Sequence, residues 1–271
     1  MASAVVTGSA RGLGLEIARV LRRRGLAVTL TDVDAEALAA AVAELGGGVS
    51  SEILDVRDEQ ACRELAASVD AAGDGGLAVW VNNAGILATG ASWSHDSELR
   101  ERMFAINTFG TINGTFAALG PMRARGRGHI INVVSLAGIG KPPGETVYAA
   151  TKHAALAFTL GTLADLRAEK VDEIHLSAVC PDGIWTPMLY DKLDDPAAAP
   201  SFSGKLMDPD EVAAHVDKLL DKPRPVTVIP AWRGVVVRLF DAFPGLASRA
   251  TRLWLADARR RQRRFKKKLG K

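Results

Sequence analysis

A tyrosine and a lysine stand four residues apart in the stretch "GETVYAATKHAA", and this spacing could support proton transfer. Tyr148 is one of only two tyrosines in the chain, and Lys152 follows it by about one helical turn. Residues i and i+4 of a helix share a face, so both side chains could point into one crevice. A phenol is a poor base at neutral pH, but a nearby ammonium group favours the phenolate and lowers the phenol pKa. The pair therefore suggests a general acid/base that exchanges a proton with an alcohol oxygen.

Ser135 is the third residue of this candidate catalytic set. It ends the predicted strand "GHIINVVS" and precedes Tyr148 by 13 residues. Its hydroxyl could hydrogen-bond the same substrate oxygen that Tyr148 serves, while Lys152 could also hold a ribose of a cofactor. Because Y-x-x-x-K alone is common by chance, this interpretation depends on the other motifs of the chain.

A glycine-rich turn, "TGSARGLG", follows the first predicted strand and opens a helix. Gly8, Gly12 and Gly14 allow the backbone to approach a diphosphate closely, and the helix N-terminus offers free N–H groups to the anion. The spacing G-x-x-x-G-x-G differs from the general G-x-G-x-x-G fingerprint. In its strand–turn–helix context, the turn predicts a dinucleotide site.

Asp32 closes the second predicted strand and bears on which dinucleotide binds. A carboxylate there can accept hydrogen bonds from the adenosine ribose hydroxyls, and it repels a 2′-phosphate. Arg11, beside the phosphate site, could instead favour NADP, because its cation could bind the 2′-phosphate. Because Val33 supplies no basic partner after Asp32, we expect NAD as the preferred cofactor and keep NADP as the alternative.

Short apolar runs alternate with helical patterns along the chain. The predicted strands are 2–7, 26–31, 51–54, 77–81, 128–135, 173–180 and 225–230, and the predicted helices are 13–24, 34–45, 57–72, 97–125 and 148–169. Residues 183–210 carry four prolines and are predicted to be a flexible loop or lid.

The strands are continuous runs of Val, Ile and Leu, which is typical of a parallel sheet covered on both faces. We therefore expect an α/β fold with a doubly wound, Rossmann-like sheet of seven parallel strands in a single domain. The expected catalytic domain spans residues 1–232. Residues 233–271 would form an amphipathic, basic C-terminal extension of helical character.

Several of these motifs together resemble the classical short-chain dehydrogenase/reductase family over about residues 2–232. The stretches that carry the resemblance are "TGSARGLG", "NNAG", "FAINTFG" with Asn107, the strand end at Ser135, and "YAATK". None is conclusive alone, but in this order and at family spacing they are together highly specific.

The resemblance implies a site assignment. Tyr148 would be the general acid/base, Ser135 the partner of the substrate oxygen, Lys152 the group that orients the ribose, and Asn107 the anchor of a water in a proton relay. The implied cofactor contacts are Gly8, Ser9, Arg11, Gly12, Leu13, Gly14, Asp32, Asp55, Val56, Asn83, Ala84, Gly85, Tyr148, Lys152, Pro181, Ile184 and Thr186.

The turn after strand six departs from the family pattern. The family usually has Pro-Gly there, but this chain reads "CPDGIWTPM", with Asp182 in place of the glycine. The implied carboxamide contacts, the Ile184 backbone and the Thr186 hydroxyl, still align. The change affects the expected geometry of the turn, where Asp182 would form the turn or meet substrate.

The expected substrate pocket is mostly apolar, with Leu87, Leu136, Trp185, Met188 and Leu189 around it. These residues favour a lipophilic secondary alcohol or ketone of steroid, retinoid or fatty-acyl type, although they could equally be core. The predicted function is NAD(P)-dependent oxidation or reduction. The alternatives are a catalytically silent dinucleotide sensor or scaffold, and non-redox lyase chemistry on the same fold.

Charge is unevenly distributed. Eleven of the 34 Lys/Arg but one of the 31 Asp/Glu fall in residues 249–271, so the rest of the chain is mildly acidic. The basic stretch at 246–271 could rest on an anionic membrane, or it could pack on a subunit or on the core of its own chain; nucleic acid binding is the least supported alternative.

We expect a cytoplasmic protein, with peripheral membrane association as the alternative, since the chain shows no signal peptide or spanning segment. The resemblance implies a homodimer or homotetramer formed through the helices at 97–125 and 148–169. Cys62 and Cys180 match no metal spacing, so no metal site is expected.

Overall fold

Seven parallel strands form one sheet in the computed structural model, which describes residues 1–269. The strands are β1 (Ser3–Thr7), β2 (Ala27–Asp32), β3 (Val49–Ile53), β4 (Leu77–Asn82), β5 (Gly128–Val133), β6 (Ile174–Pro181) and β7 (Val226–Ile229). Their order across the sheet is β3-β2-β1-β4-β5-β6-β7, and every neighbouring pair is parallel. The predicted doubly wound α/β fold is confirmed.

Ten α-helices complete the described part of the chain. They are α1 (Gly12–Arg23), α2 (Ala35–Leu45), α3 (Glu59–Ala71), α4 (Ser97–Phe104), α5 (Gly110–Arg125), α6 (Thr146–Ala168), α7 (Pro187–Tyr190), α8 (Pro209–Asp221), α9 (Ala231–Ala242) and α10 (Pro244–Lys268). The helix predicted at 97–125 contains a π-helical turn at Ala105–Phe109, between α4 and α5. Such a turn is frequent at functional sites.

Two apolar layers cover the faces of the sheet. One layer packs buried residues of α1, α2 and α8 against the strands, with Ile17, Leu38 and Val216 among them. The other packs α3, α5 and α6 against the opposite face, where Trp80 and Met122 are fully buried. Burial on both faces explains why the strands are continuously apolar.

The sheet reverses its winding between β1 and β4. From this pair, strand order runs outward to β3 on one side and to β7 on the other. At such a switch point the loops at the carboxyl ends of the two strands separate and leave a crevice. The motifs at 8–14 and 83–85 follow β1 and β4, so the topology brings both to this crevice.

Residues 183–210, predicted as a flexible loop or lid, hold more regular structure than expected. They contain α7, a 3-10 segment at Pro196–Phe202, and the first turn of α8. The start of α8 has a local cause: Pro209 occupies its first turn, and the Asp208 N–H donates to the Glu211 carboxylate at 3.2 Å. This Asp-Pro-x-Glu pattern is a helix-start signal that the sequence alone displays.

The C-terminal extension forms α9 and α10, and the predicted boundary between residues 232 and 233 falls inside α9. The inner face of α10 packs on the 3-10 segment at 196–202, where Ala258 and Gln262 are buried. None of the helices within residues 1–269 is both long and apolar enough to cross a membrane.

Candidate active site

The glycine turn packs tightly against the loop that follows β4. Gly8 and Gly12 both have φ of +61°, a region that favours glycine. A Cβ on Gly8 would lie 2.7 Å from the Ala84 Cα, and one on Gly14 would lie 2.6 Å from the Asn83 Nδ2. Side chains at these positions would push the two loops apart and fill the crevice.

The N-terminus of α1 lies in this crevice without a side-chain cap. Asp34, Asp58 and Asp96 cap α2, α3 and α4 by accepting hydrogen bonds from backbone N–H groups, whereas Arg11, at the start of α1, makes no such bond. The first-turn N–H groups of α1 are therefore available to an anion. The turn and the uncapped helix fit the diphosphate of a dinucleotide.

Two predicted cofactor residues do not line the cavity. Ser9 is fully buried; its Oγ donates to the Val6 carbonyl at 2.9 Å and accepts from the Thr31 N–H at 3.0 Å. It fixes the turn to β1 and β2 instead of facing a ligand. Gly14 lies on the packed side of α1, where its lack of a side chain lets the helix approach the Gly8 carbonyl.

Asp32 and Arg11 both line the cavity, next to the glycine turn. The Asp32 carboxylate accepts from the N–H groups of Ala10 at 3.2 Å and Val33 at 2.8 Å, which holds it at the edge of the glycine turn. Arg11 is exposed beside it and forms no ion pair within residues 1–269. The cavity therefore contains both Asp32, whose carboxylate would repel a 2′-phosphate, and Arg11, whose guanidinium would attract it.

Asp55 and Val56 line the same end of the cavity. The Asp55 carboxylate accepts from the Arg57 guanidinium at 2.9 Å, and this hydrogen bond lowers the pKa of Asp55 below its usual value. Asn83 fastens the loop after β4, since its Nδ2 donates to the Gly8 carbonyl at 2.8 Å and the Thr7 carbonyl at 3.0 Å. The backbone of 83–85 is thereby held against the turn.

Ser135, Tyr148 and Lys152 meet on the cavity wall between β5 and α6. Tyr148 and Lys152 are buried, and the Lys152 Nζ lies 5.8 Å from the centroid of the Tyr148 ring. The same Nζ donates to the Val133 carbonyl at 3.0 Å. The structure thus brings together the three residues that the sequence selects.

Burial dominates the electrostatics of this group. It raises the pKa of Tyr148 above its ordinary value, and the Ser135 side chain partly offsets that rise. Burial also lowers the pKa of Lys152 to about 8. That Lys152 lowers the pKa of Tyr148 in the working enzyme stays a prediction.

Asn107 lies behind the cavity wall, in the π-helical turn. Its side chain bonds the Ile86 backbone in both directions: Nδ2 donates to the carbonyl at 2.9 Å, and Oδ1 accepts from the N–H at 2.8 Å. Nδ2 also donates to the Thr151 Oγ1 at 3.1 Å. The side chain is fully committed to joining the loop after β4 to the helix of Tyr148, so a role toward water would fall to its backbone.

Asp182, the departure from the family pattern, pairs with the C-terminal extension. Its carboxylate accepts from the Arg233 Nε at 2.7 Å in a mostly buried ion pair. Arg233 donates also to the Ser203 Oγ at 2.8 Å. The aspartate therefore links the turn after β6, helix α9 and the segment at 183–210.

Glu145, which sequence reasoning missed, is a buried acid on the same cavity wall, three residues before Tyr148. Its Oε1 accepts from the Ser201 Oγ at 2.6 Å. Burial raises its pKa to about 7, and when ionised it raises the pKa of Tyr148 in turn. Its position near the start of α6 is visible in sequence, but its contact with Ser201, 56 residues away, is not.

The segment at 183–210 also contacts α10, which sequence reasoning likewise missed. The Gln262 Nε2 donates to the backbone carbonyls of Lys192 at 3.3 Å, Leu193 at 3.2 Å and Asp195 at 2.8 Å. Lys266 pairs with Asp194. The last helix therefore braces the segment over the cavity.

Trp185, which the sequence places at the expected substrate pocket, is not among the described residues that line the cavity. Its ring packs against Tyr190 at 4.1 Å and Phe265 at 4.8 Å between centroids, so it joins the segment to α10. The other predicted wall residues do line the cavity: Leu87, Leu136, Met188 and Leu189.

One cavity of about 970 Å³ contains both the cofactor end and the catalytic group. Beyond Tyr148 it continues to a wall of the C-terminal extension, which contributes Val236, Val237, Phe240, Ala250 and Trp254. Pro181, Ile184 and Thr186 line it after β6, with Thr186 Cγ2 close to Gly12. A volume of this size can hold a dinucleotide end together with an organic substrate.

The sheet is doubly wound, with a glycine turn at its switch point and a serine, a tyrosine and a lysine beyond that turn. This combination defines a nicotinamide-dependent oxidoreductase. The family model for short chain dehydrogenases matches residues 2–197. The chain belongs to the short-chain dehydrogenase/reductase family, whose members include enzymes that act on CH–OH groups with NAD(P).

Relatives and solved structures agree with this assignment. A cyclopentanol dehydrogenase of Comamonas testosteroni is 36% identical over 220 residues, which cover 78% of this chain and 86% of the relative. A family member from Burkholderia phymatum, solved with NAD, has a TM-score of 0.80 at 27% identity and covers 90% of this chain and 94% of its own. An actinorhodin polyketide ketoreductase variant, solved with NADPH, has a TM-score of 0.75 at 29% identity over 84% and 95%.

The protein is therefore an oxidoreductase that uses a nicotinamide dinucleotide to interconvert an alcohol and a carbonyl compound.

Proposed function

We propose that the substrate is a lipophilic secondary alcohol or its ketone. The observation that carries this proposal is the continuity of the cavity past Tyr148 into a wall of Leu87, Met188, Leu189, Phe240 and Trp254. Two cations on that wall have anionic partners, since Arg233 pairs with Asp182 and Lys141 with Asp241. A largely apolar wall suits an apolar ligand. The cyclopentanol dehydrogenase relative acts on such an alcohol by its name.

Tyr148 is proposed to take the hydroxyl proton of the alcohol, and to return it to the ketone oxygen in reduction. Ser135 hydrogen-bonds that same oxygen and fixes it within reach of the phenol. When bound, the nicotinamide ring accepts or supplies the hydride, and in its oxidised form it brings a positive charge. Because burial raises the tyrosine pKa, a cation close by is needed for the phenol to act as a base.

Lys152 is proposed to orient the cofactor ribose. Its ammonium has one protein acceptor, the Val133 carbonyl, and donor capacity left for the cavity. The residues proposed to hold the rest of the cofactor are Gly8, Arg11, Gly12, Leu13, Asp32, Asp55, Val56, Asn83, Ala84, Gly85, Pro181, Ile184 and Thr186. Ser9, Gly14 and Asn107 are proposed to act through packing and positioning.

A panel of secondary alcohols tests this function. We expect NADH to form with cyclic and long-chain apolar alcohols, and much less with short, charged hydroxy acids. Tyr148→Phe should lower kcat about 10³-fold, a typical loss for a general acid/base, and leave NADH affinity nearly unchanged. Tyr190→Phe, at the chain's other tyrosine, is the matched control and should keep turnover. Unaltered turnover in Tyr148→Phe would refute the assignment, and NADH binding without turnover of any alcohol would favour a sensor.

NAD is proposed as the preferred cofactor, because Asp32 lines the cavity next to the glycine turn and its carboxylate is fixed by backbone donors. The measurement is the ratio of kcat/KM for NAD to that for NADP. Asp32→Ala should lower this ratio about tenfold, since the repulsion of a 2′-phosphate is lost. Arg11→Ala should raise it. A wild-type ratio below one would contradict the preference.

A homodimer or homotetramer is proposed from the apolar surface of α5 and α6. Phe116 and Leu160 are exposed there, and Phe116 packs edge-on against Phe158 at 5.6 Å. Light scattering of the wild type against the double variant Phe116→Asp, Leu160→Asp tests this. We expect the variant to have a lower mass, and a wild-type monomer would contradict the proposal.

A further inference from the structure

The outer face of α9 carries a row of exposed apolar side chains. Trp232, Val235 and Leu239 are 60%, 61% and 58% exposed, and their spacing of three and four residues places them on one face of the helix. Phe243, the residue directly after the helix, is 61% exposed. Leu246 and Leu253 of α10 are 64% and 79% exposed. These six residues are here called the apolar ridge.

The opposite face of α9 already provides the contact that holds the helix. Val237 packs into the core cluster beside β6, and a Cβ on Gly234 would lie 2.9 Å from Val228 Cγ1. The apolar ridge therefore contributes little to the fold of its own chain. Six large apolar side chains left in water on neighbouring helices indicate an interaction surface.

The ridge is accompanied by a strongly basic helix face. The exposed side chains of α10 include Arg249, Arg252, Arg260, Arg264 and Lys267. Within residues 1–269, the cations of α10 that form ion pairs are Arg261, with Asp257, and Lys266, with Asp194. The surface that meets this helix should therefore be anionic.

The mouth of the substrate cavity lies beside the ridge. Phe240, Pro244 and Ser248 line the cavity and are exposed, and each is close in sequence to Leu239, Phe243 or Leu246. A molecule that leaves the surface covering the ridge would meet the opening of the cavity first.

We propose that the apolar ridge docks on the surface of an anionic lipid bilayer, so that an apolar substrate reaches the cavity from the membrane. The docking is inferred from the apolar ridge and the basic face of α10. Only the delivery of substrate from the membrane rests on the proposed function. A second copy fits less well, because a two-fold contact through this surface would bring two basic helices together.

The contact differs from the one expected from sequence at 246–271. Its apolar part lies mainly on α9. The inner face of α10, with Ala258, Gln262 and Phe265, packs on the segment at 183–210 instead of on a membrane. The basic outer face of α10 keeps the expected attraction to anionic headgroups.

Vesicle flotation of the full-length protein tests the proposal. We expect binding to phosphatidylcholine vesicles that contain phosphatidylglycerol, weaker binding to phosphatidylcholine alone, and release by added salt. The double variant Leu239→Ser, Phe243→Ser should lower the bound fraction at least about fivefold. The matched control is Trp93→Ser, Ile53→Ser, which removes two side chains of similar exposure (88% and 63%) elsewhere, and it should float like the wild type.

Flotation needs no turnover, so its outcome is independent of whether a substrate has been identified. A wild-type protein that stays unbound with anionic vesicles overturns the proposal, and so does equal loss of binding in the control variant. Light scattering provides the other decisive result: if the ridge variant has a lower mass than the wild type and the wild type does not float, the ridge binds a second copy.

Discussion

The two ends of the active-site cavity are built in different ways. At the cofactor end, short motifs each follow a strand, and the parallel sheet itself brings them together: Asn83 reaches the Gly8 carbonyl because β1 and β4 are neighbours. At the substrate end, the walls come from segments that no strand pairing aligns, such as Ser201 on Glu145 and Gln262 on Asp195. Because the order of parallel strands follows from the sequence pattern, the residues of the cofactor end can be predicted from sequence. The structure of the substrate end depends on individual tertiary contacts that no sequence pattern indicates.

At the cofactor end, the largest expected effect on stability comes from one added methyl group. Gly14→Ala would place a Cβ against the Gly8 carbonyl and 2.6 Å from the Asn83 Nδ2. Overpacking between two backbone segments costs about 3 kcal/mol, and the shifted turn should also weaken NADH binding at least about tenfold. Fluorescence titration with NADH and thermal unfolding measure both changes.

Gly161→Ala in α6 is the control for this variant, because a Cβ there has no neighbour within 4 Å. It should unfold at the same or a slightly higher temperature, since alanine is favoured over glycine in a helix by about 0.5–1 kcal/mol. Similar behaviour of the two variants would show that the glycine turn is not closely packed.

The contrast between the two ends also explains what could be predicted. Tyr148 and Lys152 share a helix turn, so their spacing alone places them on one face. The strands and their parallel order follow from apolar runs alternating with helices. The place of Trp185 in the chain predicts a position on the substrate wall, but the direction of its ring depends on Phe265, 80 residues later. No local pattern specifies such a contact.

A second prediction probes the substrate end through pH. Glu145 has a pKa of about 7 in the folded protein against an ordinary value of 4.5. Between pH 4.5 and pH 7 the folded state therefore binds more protons than the unfolded state does. Because of this, the contribution of Glu145 makes the free energy of unfolding fall as pH rises from 4.5 to 7, and the contribution stays constant above pH 7. The full effect is of order 3 kcal/mol.

Glu145→Gln removes the charge and keeps an acceptor for Ser201. We expect the variant to gain stability relative to the wild type at about pH 8, and to gain little at about pH 5. Glu36→Gln, at an exposed position on α2, is the control and should change the free energy of unfolding much less than Glu145→Gln does at about pH 8. Thermal unfolding at both pH values gives the comparison, and a gain of equal size at the two pH values would contradict a buried, titrating Glu145.

A third prediction addresses the brace between α10 and the segment at 183–210. Gln262→Ala removes the donor that serves three backbone carbonyls and should cost about 2 kcal/mol. Because the segment forms part of the substrate wall, we expect KM for the alcohol to rise several-fold while KM for NAD stays constant. Arg263→Ala, on the exposed face of α10, is the control. A parallel rise of both KM values would mean that α10 supports the whole fold and not the substrate end.

The smallest change in stability is expected for Ser9→Ala. Ser9 is a useful test of the comparison because it belongs to the cofactor end but its side chain faces away from the cavity. Its hydroxyl bonds the backbones of β1 and β2, so Ser9→Ala should lower the free energy of unfolding by about 1 kcal/mol. NADH affinity should stay within about twofold, since no cofactor contact is lost. Tenfold weaker NADH binding at unchanged stability would reverse this conclusion and return Ser9 to the cofactor contacts that family resemblance implies. Sequence motifs specify which residues surround a turn, but the direction of each side chain is decided by the strands behind it.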